Sequence, residues 1–423
     1  MQSNILSLLV FIAAYILFIF LPTKRAHVAV AGSLLIILLR IISPQEALFA
    51  INWNVMGIFV GTLVVADIFM ESRVPAYLAE IIVNRARNTA WSILLICILT
   101  GFISAFVENV ATVLIVAPIA LSLARKLKIN PMQMMIAIAV SSNLQGAATL
   151  IGDPPSMLLG GFAKMNFGDF FFYQGKPSIF FAVEIGALTS LFVLYFIFRK
   201  HKEKVQLVRV EKVKSWVPTI ILVLLVCFLA LSSFVDSGFS YAAGVLCVIF
   251  GVISILWHKV ANKGSIIKGL KSLDWETTFF LMGIFVIVGA VTLNGWIEAL
   301  SNFLSGLVGP NIFFGFTLIV FMSVLISAFV DNVPFLAAML PVAISMSYKL
   351  NINPSLFLFG LLIGASLGGN ITPIGASANI IACSLLKKEG YTVKFKDFMK
   401  IGIPFTLSAV VAAYLFVWFI WSK

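Results

Sequence analysis

The chain has 423 residues, 61% of them hydrophobic and only 11% charged. That balance excludes a soluble globular domain and places the chain among polytopic membrane proteins. A formal charge of +12 would suit a nucleic-acid partner, but the basic residues lie in short loops between apolar spans, so nucleic acid is not expected.

Taken in chain order, apolar runs of about 20 residues, the length that crosses a bilayer core, fall near 3–22, 26–43 and 53–70. The first has neither a positively charged flank nor a small-residue cleavage site, so it reads as a retained helix and not as a signal peptide. Residues 72–88 set Tyr77, Leu78, Ile81 and Ile82 against Arg85 and Arg87, the pattern of a helix lying on the membrane surface. The stretch 91–124 is interrupted by Glu108 and Asn109, and its arms of about 15 to 18 residues are short for two crossings. A re-entrant helical hairpin is predicted, with two full spans and a surface turn as the alternative. Residues 135–163 contain Gly146, Gly152, Pro154 and Pro155, which would break that span in mid-membrane and free its carbonyls. A further span at 177–198 completes a first unit, 1–200, and residues 201–214 form a basic cytoplasmic linker.

The second unit, 215–423, has spans near 216–234, 239–257 and 275–294, an interrupted stretch at 311–347, a broken span at 357–383 and a last span at 401–421. Residues 394–400 suggest a second surface helix. The likeness of the two units reaches residue level. Ser104-Ala-Phe-Val-Glu-Asn-Val110 returns as Ser327-Ala-Phe-Val-Asp-Asn-Val333, and a gapless alignment at an offset of 223 residues keeps about 19 of 49 positions identical. Upstream, Met56-Gly-Ile-Phe-Val60 returns as Met282-Gly-Ile-Phe-Val286, preceded by Trp53 and Trp275. The fold expected is all-α: two repeats of about five transmembrane helices, each with one re-entrant hairpin and one broken helix. Five crossings is an odd number, so the second repeat should be inverted relative to the first, as in secondary transporters. Loops on one side carry 24 of the 29 Lys and Arg. This side is therefore assigned to the cytoplasm, with both termini outside, in the plasma or inner membrane.

Polar groups inside apolar spans point to the working site, because isolated they are expensive there. The candidates for substrate and ion binding in the first repeat are Glu108, Asn109, Thr112, Asn143, Gly146, Thr149 and Asp153. In the second they are Asp331, Asn332, Ser366, Asn370, Thr372, Ser377 and Asn379. Freed carbonyls with Asn and Thr oxygens suit Na⁺, expected near Asn109 and Thr149 and near Asn332 and Thr372, while half-helix N-termini suit an anion. Each buried carboxylate could carry a proton unless a cation or basic partner keeps it ionised. The ordinary structural explanations are packing kinks at Gly and Pro and helix caps at Asn109 and Asn332. Asp67 and Glu184 read as reaching interfacial water, and Arg40 as a snorkelling anchor. The four cysteines show no metal-ligand spacing, and the three histidines lie in or beside loops. No cofactor is expected beyond Na⁺ or H⁺ as the coupling ion.

Three segments, Ala147-Ala-Thr-Leu-Ile-Gly-Asp-Pro-Pro155, Ser327-Ala-Phe-Val-Asp-Asn-Val-Pro334 and Leu367-Gly-Gly-Asn-Ile-Thr-Pro-Ile-Gly-Ala-Ser-Ala-Asn379, carry a family resemblance over nearly the whole chain. It resembles the arsenical pump and NhaD antiporter branch of the ion transporter superfamily, which includes the pink-eyed-dilution protein. More distantly it is similar to the divalent anion/sodium symporters, whose hairpin tips carry Ser-Asn-Thr. The resemblance implies a homodimer of scaffold and transport domains, an elevator-like movement, and cation sites between hairpin and broken helix. Acidic tips at Glu108 and Asp331 depart from the symporter pattern and argue against simple dicarboxylate symport. The expected function is ion-coupled secondary transport of a small anion or metalloid such as arsenite; the alternatives are Na⁺/H⁺ antiport or Na⁺-coupled organic anion symport. A channel would need no inverted repeat. An enzyme is not expected, since no nucleophile stands beside a base, and coupling to ATP would require a partner subunit.

Overall fold

The computed structural model describes residues 2–127, 129–203, 212–262 and 273–423. Most of the basic linker, 204–211, therefore lies outside the described residues. Three helices open the chain, α1 (Gln2–Phe20), α2 (Arg25–Leu38) and α3 (Pro44–Ala50), followed by α4 (Trp53–Glu71) and α5 (Val74–Arg85). Then come α6 (Thr89–Ser104), α7 (Asn109–Leu127), α8 (Met132–Gly146), α9 (Pro154–Ala163) and α10 (Ile179–Phe198). The second half contains α11 (Val217–Ser232), α12 (Ala242–Asn262), α13 (Trp275–Leu293), α14 (Trp296–Val308) and α15 (Ile312–Ser327). It ends with α16 (Asn332–Lys349), α17 (Pro354–Gly368), α18 (Ser377–Lys388) and α19 (Phe395–Trp421). Eight of these helices are long and apolar enough to cross a membrane by length and composition.

The order from α4 to α10 is repeated from α13 to α19, and the local signals that start the helices repeat with it. Asn88 accepts from the Trp91 N–H and Asn311 from the Phe314 N–H, each 3.0 Å, capping α6 and α15. Asn130 and Asn353 accept from Met132 and Ser355, each at 2.9 Å, and so begin α8 and α17. An Asn oxygen satisfies one of the orphan N–H groups of a first turn, so the same amide at the same offset starts the same helix twice.

The halves interlock. α2, from the first half, packs along α13 of the second, while α12 of the second packs along α4 of the first. The glycine of the repeated Met-Gly-Ile-Phe-Val segment makes both crossings possible. A Cβ on Gly57 would stand 3.0 Å from the Gly244 backbone, and one on Gly283 2.7 Å from the backbone of Ala29. Ser33 of α2 adds a hydrogen bond to the Gly283 carbonyl at 3.0 Å. Small residues that let backbones approach are the usual device for helix contact in lipid, where apolar burial supplies little drive. α1 turns Ile5, Leu9, Ile12, Ile16 and Phe20 outward, whereas residues 134–140 of α8 and 355–368 of α17 are buried throughout. The two broken helices thus occupy the centre of the molecule.

Several elements differ from the sequence expectation. α14 is the counterpart of α5, yet its mixed sequence Trp296–Val308 offered no clear apolar run. The capping box of Ser43 and Glu46 builds the short α3, and Phe172–Tyr173 pairs with Lys176–Pro177 around Gln174 and Gly175, both at positive φ. The segment 394–400 is not a separate surface helix: α19 runs unbroken from Phe395 for 27 residues with Pro404 inside it. The hairpin arms α6 and α7 have 16 and 19 residues and meet through a four-residue turn, 105–108.

Candidate functional site

The first broken helix stops at Gly146, crosses residues 147–152 without helix, and restarts at Pro154. Proline is suited to a first helical turn because its missing N–H would have no partner there. Asp153 caps the restart, its Oδ1 accepting from the Ser156 N–H at 2.9 Å. Ser156 Oγ donates back to the freed Gly146 carbonyl at 3.2 Å. In the second half Asn379 Nδ2 performs the same task on the Gly369 carbonyl at 2.9 Å. Each break is also tied to the hairpin beside it: Thr149 donates to the Ala105 carbonyl and Thr372 to that of Ala328. Carbonyl oxygens of Gly146, Ser104 and Ala105 crowd the space a Gly152 side chain would need, and those of Gly369 and Ala328 do so at Gly375.

Amides join the two hairpin-and-break units. Ser104 donates to Asn109 Oδ1 at 2.6 Å, Asn109 Nδ2 to Asn143 Oδ1 at 3.3 Å, and Asn143 Nδ2 to Asn370 Oδ1 at 3.1 Å and to the Ser366 carbonyl at 2.8 Å. Asn370 returns a bond to the Val140 carbonyl at 3.1 Å. All of these side chains are buried, and buried amides keep their place only when their donors and acceptors are used.

Beside this chain lies a cavity of about 40 Å³. The first half contributes Glu108, Asn109, Asn143 and Asp153; the second contributes Asn332, Ser377, Asp274 and Thr277; Arg25 stands at the start of α2. The volume suits one water-sized group. Gly146 makes room for it, since a Cβ there would stand 2.9 Å from both Asn109 Nδ2 and Asp153 Oδ2. Asp153 is fully buried, and among the described residues its Oδ2, close to the Asn109 amide, accepts no well-formed hydrogen bond. Glu108 Oε2 accepts from the Ala111 N–H at 3.1 Å. Asp331 is not among the lining residues and forms an ion pair with Arg25, which is.

The structure thus gathers Glu108, Asn109, Asn143, Asp153, Asn332 and Ser377 around one space, with Ser366 and Asn370 one layer behind. Thr112 bonds back to the Val107 and Glu108 carbonyls of its own helix start. Thr149, Thr372 and Asn379 lie outside the cavity and hold the breaks in shape. Glu184, expected at interfacial water, is half-buried and shares a separate cavity of about 170 Å³ with Gln145, Ser141 and Cys97. Arg40 is exposed; the guanidinium near the site belongs to Arg25. Sequence reasoning missed Arg25, Asp274 and Thr277, because Arg25 looks like one more basic loop residue. The faint signal was Asp274-Trp-Glu-Thr277, a cap at the start of a span: Asp274 Oδ1 accepts from the Thr277 N–H at 2.9 Å.

The sequence matches the citrate transporter family over residues 15–351 and again over 264–423. An uncharacterised transporter of Mycobacterium bovis is 27% identical, with 98% of each chain covered. One from Synechocystis is 26% identical, over 99% of this chain and 98% of its own. The P protein of Mus musculus is 26% identical over 93% of this chain and 57% of its own length. Among solved structures, the YdaH transporter of Alcanivorax borkumensis superposes with a TM-score of 0.60 at 12% identity, covering 88% of this chain and 85% of that one. MtrF of Neisseria gonorrhoeae, from a class of antimetabolite efflux pumps, gives 0.57 at 13% identity, over 92% and 84%. At such identities the likeness concerns the fold alone.

Proposed function

Because the chain belongs to the citrate transporter family, we propose that it is a cation-coupled secondary transporter of a small anion, working by alternating access. The observation that carries this reading is Asp153: a fully buried carboxylate, one of whose oxygens accepts no well-formed hydrogen bond among the described residues, beside Glu108 and Asn109 in a small cavity. A group so placed is stable only when a proton or a cation completes it, and taking one up on one side and releasing it on the other is coupling. The carbonyl sets around Gly152 and Gly375, next to Thr149 and Thr372, are the oxygen donors offered to Na⁺ in each half. Hard cations take oxygen ligands of this kind.

The two repeats are read as inverted, each with a re-entrant hairpin, in units bounded at 1–200 and 215–423. The odd number of crossings and the distribution of basic residues support this arrangement. A homodimer with an elevator-like movement is the corresponding assembly. The cavity lining offers oxygen and nitrogen donors and no thiol, so it favours an oxyanion or carboxylate over a thiophilic metalloid such as arsenite. Acidic lining keeps a second reading, Na⁺/H⁺ exchange with Glu108 and Asp153 as the alternating ligands.

Proteoliposomes loaded separately with Na⁺ and proton gradients, and offered citrate, phosphate, arsenite or Na⁺, test both readings. The expected result is saturable uptake of one anion, driven by one of the gradients and showing counterflow. Asp153→Asn, which keeps the cap on Ser156, should flatten the pH profile of exchange. Flux indifferent to both gradients and without counterflow would indicate a channel and overturn the proposal.

A further inference from the structure

Among the described residues Arg25 is the sole basic side chain lining the cavity, which also holds Glu108, Asp153 and Asp274. A single oxygen of an anion entering this water-sized space therefore meets a compensating charge at one place. The guanidinium is held on three sides: one nitrogen pairs with Asp331, another approaches Thr277 Oγ1 at 3.3 Å, and its Cζ lies over the Phe280 ring, 5.1 Å from the ring centre. Phe280 is fully buried, and Thr277 Oγ1 is itself tied to Asp274 Oδ2 at 2.5 Å. A guanidinium so held presents its fork in a fixed direction, which is how arginine recognises carboxylates and oxyanions.

Asp331 already occupies that fork, and it is not where its repeat counterpart would place it. Glu108, at the same position of the first hairpin, bonds to its own helix start and makes no ion pair among the described residues. Asp331 caps α16 through Oδ1, accepting from the Val333 N–H at 3.0 Å, and gives Oδ2 to Arg25. We propose that Arg25 is the anion-recognising side chain of this transporter, and that Asp331 is a resident carboxylate which the transported anion displaces. The inference rests on the reading of the chain as an anion transporter and adds a residue and an order of events.

The consequence is mechanical. The tip of the second hairpin is attached to the first two helices by this ion pair and by a hydrogen bond from the Tyr15 hydroxyl to the Pro334 carbonyl at 2.6 Å. Exchange of Asp331 for a substrate oxygen removes one of these two polar attachments, so loading of the site and loosening of the hairpin tip become one event. A ligand shifts such an equilibrium only through a difference in affinity between the two states, and the competition at Arg25 supplies that difference.

The test uses the full-length chain in proteoliposomes and in detergent, with citrate and phosphate as probes. Asp331→Asn keeps a residue that caps helices well and removes the competitor; its apparent KM for the transported probe should fall about tenfold or more, an opposing charge being lost. Arg25→Lys keeps the charge and loses the fork, and should raise KM by at least about tenfold. The double variant Arg25→Gln with Asp331→Asn leaves no unpaired charge, so it separates folding from binding. It should elute as wild type and lose the thermal stabilisation that the probe confers on wild type. Anion transport in which Arg25→Lys and Asp331→Asn both keep the wild-type KM would overturn this inference alone. Na⁺/H⁺ exchange with no anion carried or bound would overturn the reading beneath it as well.

Discussion

Asn109 and Asn332 hold the same position in the repeat, yet their surroundings differ. Asn109 is locked between Ser104 and Asn143, while Asn332 is buried at the cavity wall and, among the described residues, joins no such chain of amides. Removing a partner from a buried hydrogen-bonded group costs about 1–3 kcal/mol. Asn109→Ala should therefore lose both transport and about that much stability, whereas Asn332→Ala should lose transport with little change in unfolding temperature. Thermal unfolding in detergent beside uptake in vesicles measures the two effects. The structure gives the capping role expected of this pair to Asp331, and at the first hairpin it is Glu108 that accepts from the Ala111 N–H; equal destabilisation in both variants would leave the two asparagines a structural role alone.

Among elements, the crossings of α2 with α13 and of α12 with α4 decide how the halves are joined. Both depend on a glycine from the same five-residue segment, but the clearances differ: the missing Cβ would meet backbone at 2.7 Å at Gly283 and 3.0 Å at Gly57. Adding a methyl group to a filled contact costs about 1–3 kcal/mol. Gly283→Ala is expected to lower the unfolding temperature more than Gly57→Ala. The reverse order would mean that the α4–α12 contact is the less tolerant of the two.

For the whole molecule, the position of the cavity has a side. Arg25 and Asp274 stand at the starts of α2 and α13, on the side that the basic residues of the sequence lead one to expect in the cytoplasm, and Asp274 is exposed. The site thus reaches the surface beside these two helix starts, and which side of the membrane that is can be measured. Single cysteines at Lys202 and Asp169, in a background lacking Cys97, Cys227, Cys247 and Cys383, report the orientation through an impermeant thiol reagent. Asp169→Cys should label in intact cells and Lys202→Cys only after the membrane is opened. Labelling of Lys202→Cys from outside would invert the topology.

Much of the helical order and of the polar site is legible in the sequence alone, because a bilayer punishes unpaired polar groups and so makes them conspicuous. Glu108, Asn109, Asp153 and Asn332 stand out in apolar surroundings, and Gly146, Gly152, Pro154 and Pro155 mark where helix must stop. The repeat carries these signals twice, so the hairpins, the breaks and the order of spans follow from local chemistry. What tertiary structure alone decided is which groups share a space. Arg25 lies 306 residues from Asp331, and nothing in its own neighbourhood distinguishes it from other loop cations. The swap of α2 and α12 between halves is likewise a matter of shape, set by small residues whose partners lie far along the chain. Local pattern reports the environment a residue requires; which distant residue supplies it depends on how the helices pack.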